Sequence, residues 1–407
     1  MGTVNPAGRN SPSFFLWLMV FLVVVLVLGI DFAVARMVRS FRMVSISSGR
    51  VRDPVFHHGL RRDFVWQDSF GPMHFQEISN SLGLRDGGRR TIPPVGDRPR
   101  ILLIGDSFTE GVGVPWEETF AGRLQTALKA KGVEVLNAGR ESIGSRDIAA
   151  VVRHEVAALR PDLVVYYEGG NQLELSTVVK DVPKAVPRPG GVLAGWLRDL
   201  ADHSALARRA EGFVDIPEWP KPAYEISWPE GLDEFDPDLR RGDLPVNLNT
   251  IMGDLDSIRA DLAKVDGELA VASFHWMAKD GLVLNAGRHK PIIEGLNVTY
   301  APYRYRDLER LTNFENRVFK KYAAAHGLPF IDVAGHMPHD PELFSDAVHN
   351  TPQGVRLRAW IVFLQLVPIV EQRLASGAWP KPVPAMADRH PAFKTPPRRI
   401  TFDCKPN

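Results

Sequence analysis

From Phe14 to Ile30 the chain is an unbroken apolar run, with Gly29 its only small residue. No face of this run is polar, so it predicts a membrane-spanning helix rather than an amphipathic one packed on a core; about 20 apolar residues cross the hydrocarbon layer. Ala33 and Ala35 add an A-x-A pattern that suits signal-peptidase cleavage. The run exceeds a typical signal core, and the reading favours an uncleaved anchor over residues 14–35, after a tail of residues 1–13. Arg9 precedes the run and Arg36, Arg39 and Arg42 follow it, so the positive-inside tendency on its own leans against export.

Residues 36–97 read as a connecting region, with Pro93-Pro94 discouraging regular structure near its end. The pattern then changes. Arg100 to Gly105 (RILLIG) is a short continuous apolar run, the mark of a strand buried on both faces. Phe120, Leu124, Ala127 and Leu128 recur at helical spacing, and Gly132 follows as a C-terminal stop. The alternation predicts further strands at 133–138, 163–167, 269–274 and 328–333. It predicts helices at 147–159, 251–265, 307–325 and 352–374. Strands alternating with helices imply a parallel sheet covered on both faces. The fold expected is therefore an α/β, three-layer α/β/α sandwich with a five-stranded, flavodoxin-like parallel sheet, plus the N-terminal transmembrane helix. It occupies residues 98–375. An insertion at about 175–245, helical around Leu193 to Ala210, interrupts the rhythm at the active-site rim, and a Pro-rich tail of residues 376–407 follows.

Composition narrows the partners. The 407 residues carry 49 Lys+Arg against 48 Asp+Glu, a net charge of +1, and no long basic stripe, so nucleic acid is not an expected partner. The single cysteine, Cys404, makes no internal disulfide and no zinc pattern. His336, His339 and Asp340 lack a third ligand of obvious spacing, and no metal or cofactor is expected. No Walker or GxGxxG loop points to nucleotides. The pair His57-His58 reads as surface. His275 and Trp276 end the fourth strand, as pocket lining or as packing.

The chemistry gathers at strand ends. The first strand closes in Gly105-Asp106-Ser107, where a turn can expose a serine hydroxyl for attack on a carbonyl. The second ends in Asn137-Ala138-Gly139, where glycine lets a backbone N–H approach a ligand. The third leads into Glu168-Gly169-Gly170-Asn171, whose side-chain amide can aim at the same point. Late in the chain stands Asp346-Ala347-Val348-His349, followed by Thr351 as an N-cap and Pro352 as a first helical residue. An Asp three residues before a His can fix one ring nitrogen and leave the other for a nucleophile.

In chain order these four blocks resemble those of the SGNH, or GDSL, hydrolase superfamily, and the stretch Asn80-Ser81-Leu82-Gly83-Leu84-Arg85-Asp86 resembles one that precedes the first block in membrane-anchored bacterial members. The resemblance implies that Ser107 is the nucleophile, His349 the base and Asp346 its orienter. It implies an oxyanion hole of the Ser107 and Gly139 backbone N–H groups and the Asn171 amide. Gln172 stands where many members have Asp. The stretch around Arg85 is read as packing beneath the sheet. The activity implied is an esterase or deacetylase working through an acyl-serine on a small-molecule, glycan or lipid ester. O-acyl transfer to envelope polysaccharide by the same site, or a non-catalytic binding module, are the alternatives. The resemblance also places the catalytic domain outside the cytoplasm on its membrane anchor, or secreted if the A-x-A site is cut. Trp116, Tyr166, Tyr167, Trp276 and Tyr300 read either as a sugar-stacking surface or as core. The oligomeric state is not written in the sequence.

Overall fold

The computed structural model describes residues 12–46, 49–52, 58–70, 73–171, 204, 228–285, 287–299, 303–385 and 398–399. Two units make up the chain, and the first contributes the long helix α1 (Pro12–Ile46). Its side chains from Phe14 to Ile30 are exposed, and Ser13–Val34 is long and apolar enough to cross a bilayer.

The second unit begins with four short strands, β1 (Arg50–Arg52), β2 (His58–Leu60), β3 (Val65–Phe70) and β4 (Met73–Ile78). The pairs β1–β2 and β3–β4 are antiparallel, and β1 also pairs with β10 (Arg398–Arg399) from the tail. The region read as a connector thus carries strands. Their short runs mix Arg, His and Gln with apolar residues, so alternation was too brief to register.

The main sheet follows. Its strands are β5 (Arg100–Gly105), β6 (Glu134–Asn137), β7 (Leu163–Tyr167), β8 (Glu268–Ala272) and β9 (Phe330–Ile331). They lie in the order β6-β5-β7-β8-β9, all parallel. This is the expected flavodoxin-like topology. Ile101, Leu102, Leu103, Leu163 and Val164 are fully buried, because helices cover both faces. The helices are α2 (Ser107–Glu110), α3 (Phe120–Lys129), α4 (Ser145–Val151), α5 (Leu248–Ala263), α6 (Lys290–Glu294), α7 (Tyr305–Ala325) and α8 (Pro352–Ala375). The helix predicted over 147–159 begins as α4 but widens into a π turn at Val152–Val156 and tightens into a 3₁₀ turn at Ala157–Leu159. The helix expected around Leu193 lies outside the described residues, as does Tyr300. Residues 228–245 carry turns rather than regular structure.

Caps fix where the helices start. Thr119 accepts from the Gly122 N–H at 3.0 Å to begin α3, and Thr351 accepts from Gly354 at 3.4 Å to begin α8. After α8 the tail packs back on the sheet's amino end. Buried Trp379 donates from Nε1 to Glu268 at 3.2 Å, and the Lys381 N–H donates to Asp162 at 2.7 Å.

Candidate active site

Strand β5 ends at Gly105, and the chain turns at once into the single-turn helix α2, with Ser107 as its first residue. Asp106 is the N-cap and accepts from the Phe108 N–H at 3.2 Å. Gly111 closes the turn at φ +90°, a left-handed conformation costly for a side-chain-bearing residue, and donates its N–H to the Ser107 carbonyl. Thr109 Oγ1 ties the turn to the Tyr167 carbonyl of β7 at 2.8 Å. Ser107 is therefore held at the carboxyl edge of the sheet, where ligands of open α/β folds sit.

His349 reaches this serine from a loop 242 residues away in sequence. Its Nε2 lies 2.8 Å from Ser107 Oγ, and its Nδ1 lies 2.8 Å from Asp346 Oδ2. The other carboxylate oxygen of Asp346 accepts from the N–H groups of Val348 and His349, at 2.8 and 2.7 Å. Burial alone would raise the Asp346 carboxyl, but the His349 ring and these two donors outweigh it and hold the pKa below the ordinary value. The loop is clamped at three points. The Ser345 N–H donates to the His349 carbonyl at 2.9 Å, the Met277 N–H donates to the Ala347 carbonyl at 2.9 Å, and Asn350 Nδ2 donates to the Leu343 carbonyl at 3.1 Å. Serine, imidazole and carboxylate thus form a continuous hydrogen-bonded chain, which is the geometry of an activated nucleophile.

This decides the class when set beside the sequence, because residues 103–357 match the profile of the GDSL-like Lipase/Acylhydrolase family. The chain belongs to that family. As a GDSL acylhydrolase it is an SGNH-type ester hydrolase. No curated protein matches it. Among solved structures it is similar to a GDSL-like lipase from Bacteroides thetaiotaomicron, at 14% identity over 69% of this chain and 92% of that one, with a TM-score of 0.36. It is also similar to a lipase/acylhydrolase from Enterococcus faecalis, at 16% identity over 68% and 96%, TM-score 0.36. A mutant of an acetyl-xylooligosaccharide esterase from Geobacillus gives 15% identity over 68% and 96%, TM-score 0.37.

The other residues singled out from the GDSL blocks lie on the same rim but are engaged internally. The Gly139 N–H donates to Asn137 Oδ1 at 3.0 Å, and Asn137 Nδ2 donates to the Glu110 carbonyl at 3.0 Å. A Cβ at Gly139 would collide with the Glu110 N–H, so only glycine allows this approach to α2. Asn171 Nδ2 donates to Asp106 Oδ2 at 3.2 Å and to the Ile143 carbonyl at 3.1 Å. Its backbone N–H donates to Glu168 Oε1 at 3.0 Å, and Tyr166 OH donates to Glu168 Oε2 at 3.1 Å. Burial, reinforced by Glu168, pushes the Asp106 carboxyl well above the ordinary value. Glu315 is raised for the same two reasons. The Phe108 ring packs 4.8 Å from that of Tyr167 and 4.7 Å from that of Phe274, centre to centre. Buried Arg358 sits 5.4 Å from the Phe108 ring.

The structure resolves readings left open in the sequence and corrects that of His58. Tyr166, Tyr167 and Trp276 are buried core, not a sugar-stacking surface, and Trp116 is partly buried against the core. His275 is buried too, its ring 4.3 Å from that of His339, and burial followed by His339 lowers its pKa to about 3. His58, read as surface, is buried on the edge strand β2, where its carbonyl accepts from Arg140 Nη1 at 3.0 Å. His336 Nδ1 pairs with the Asp332 carbonyl at 2.8 Å, apart from His339.

A second buried network was missed. Arg50 Nη1 lies 2.7 Å from Glu110 Oε1, and Arg50 Nη2 lies 2.8 Å from Glu141 Oε2 and 3.9 Å from Asp68. Arg85, from the stretch before the first block, donates to the Glu110 and Val114 carbonyls at 2.9 and 2.6 Å and lies 3.4 Å from Glu77. Arg85 therefore braces the end of α2 and the turn that follows it. Asn80 stabilises the turn that presents it, accepting from the Leu82 and Leu84 N–H groups and donating to Asp86.

Proposed function

We propose that this acylhydrolase cleaves esters through an acyl-serine formed on Ser107. The carrying observation is the unbroken chain from Ser107 Oγ through both nitrogens of His349 to Asp346, each link 2.8 Å. His349 takes the hydroxyl proton as Oγ attacks the ester carbonyl and returns it to the departing alcohol. Asp346 holds the ring so that Nδ1 carries hydrogen and Nε2 is free to accept. The Ser107 and Gly139 N–H groups and the Asn171 amide receive the oxyanion. To do so, Gly139 exchanges Asn137 Oδ1 for the substrate oxygen, and Asn171 exchanges Asp106 or the Ile143 carbonyl. Each such donor is worth about 3 to 4 kcal/mol in the transition state. Water, activated by His349 in turn, then releases the acyl group. The apolar helix at Ser13–Val34 serves as an uncleaved anchor that keeps the enzyme at a membrane, with its catalytic domain outside the cytoplasm.

The test is turnover of a short-chain aryl ester by the full-length protein in non-ionic detergent. Wild type should release the phenol with steady turnover, while Ser107→Ala and His349→Ala should lose on the order of 10³-fold or more in kcat yet keep their unfolding midpoint. Adding a polyol acceptor should leave the yield of free acid unchanged. A shift of product from free acid to acylated polyol would replace hydrolysis with transfer.

A further inference from the structure

We propose that Glu141 is a charge-selecting residue on the rim of this active site, disfavouring esters that carry a negative charge beside the reacting carbonyl. The inference rests on the assignment of Ser107 and His349. Residues 139–143 run along the site. They start at Gly139, packed on α2, and end at Ile143, whose carbonyl takes the Asn171 amide at 3.1 Å. Glu141 lies midway. Gly139 and Arg140 before it are buried, whereas its side chain is 36% exposed.

The carboxylate is held in place there. Glu110, which ends the helix begun by Ser107, accepts the Glu141 N–H on Oε2. Its other oxygen pairs with Arg50, whose second nitrogen reaches Glu141 Oε2 at 2.8 Å. The three carboxylates of Asp68, Glu110 and Glu141 surround this one guanidinium; Asp68 and Glu110 are buried, and Glu141 is the member of the cluster open to solvent. Burial, with Glu110 and Asp68 beside it, raises the Glu141 pKa against the pull of Arg50. A second negative charge brought to the reacting carbonyl therefore enters against Glu141. A positive one enters with it.

The experiment compares three acetate esters on the full-length enzyme in non-ionic detergent at low salt: neutral phenyl acetate, anionic 3-acetoxybenzoate and cationic 3-(trimethylammonio)phenyl acetate. Glu141→Gln removes the charge and keeps the shape. Its kcat/KM ratio of anionic to neutral ester should rise about fivefold over wild type, and the cationic-to-neutral ratio should fall by a similar factor. Both changes should shrink as salt is raised toward ~0.5 M. Phenyl acetate turnover in the same preparation reports that the variant is folded. If all three esters change together, Glu141 only supports the fold of the rim and the inference fails while the serine mechanism stands. Unchanged ratios would overturn it equally. If wild type turns over none of the three and Ser107 takes no fluorophosphonate, the serine assignment fails and the inference with it.

Discussion

At the scale of single residues, two carboxyls pull the pH dependence in opposite directions. Asp346 has a folded pKa below its ordinary value, so its stabilising contribution is complete above about pH 4 and is lost as pH falls through the folded value. Glu77 is the reverse. Burial, only partly offset by Arg85, pushes its carboxyl up to about 7. The folded state then binds more protons than the unfolded chain between about pH 4.5 and 7, so this group makes stability fall as pH rises across that window. Glu77→Gln should flatten the decline of Tm between pH 4.5 and 7, read by thermal unfolding. An identical slope in wild type and variant would refute the assignment. In catalysis, Asp346→Asn should lower kcat on the order of 10³- to 10⁴-fold with KM little changed, since the ring loses its fixed tautomer rather than a substrate contact. The strand-end and helix-start positions of Ser107, Asp346 and His349 were legible in the sequence, and the structure brings the three side chains together. Arg50, Glu110 and Glu141 were not. Their charges look like ordinary surface until residues 60 positions apart are brought together.

At the scale of elements, the sheet was legible because β5, β7 and β8 are continuous apolar runs that only a two-sided burial explains. The short antiparallel strands β1 to β4 were not, since three to six residues of mixed polarity carry no periodic signal. The turn around Arg85 illustrates what such elements supply. Arg85 is almost fully buried and bonds the carbonyls of Glu110 and Val114, at and just after the end of α2. Arg85→Leu leaves those carbonyls and Glu77 without their cation, and should destabilise by about 3 to 5 kcal/mol. The check is the denaturant midpoint. Unchanged stability with lost activity would instead make Arg85 part of the chemistry. Thr119→Ala, which removes the cap of α3, should cost about 1 kcal/mol by the same measurement and leave kcat intact.

At the scale of the whole molecule, the apolar helix and the acylhydrolase unit are joined by only a few residues, since α1 ends at Ile46 and Arg50 is already locked to Glu110. Where the chain is shortened therefore matters. A soluble form beginning at residue 47 keeps Arg50 and should fold and turn over ester. A form beginning at residue 58 strands the buried Glu110 carboxylate and should lose about 3 to 5 kcal/mol, seen as a lower denaturant midpoint. Equal midpoints would mean that the Arg50 network contributes little. The position of the apolar helix was legible from composition alone, but the tie between α2 and Arg50, just beyond that helix, required the fold.

The most direct test of the central claim is to treat the full-length protein with a fluorophosphonate and locate the adduct by peptide mass mapping. The account predicts one adduct, on Ser107, absent from Ser107→Ala and much slower to form in His349→Ala. An adduct on another residue, or none on a protein that unfolds cooperatively, would contradict it.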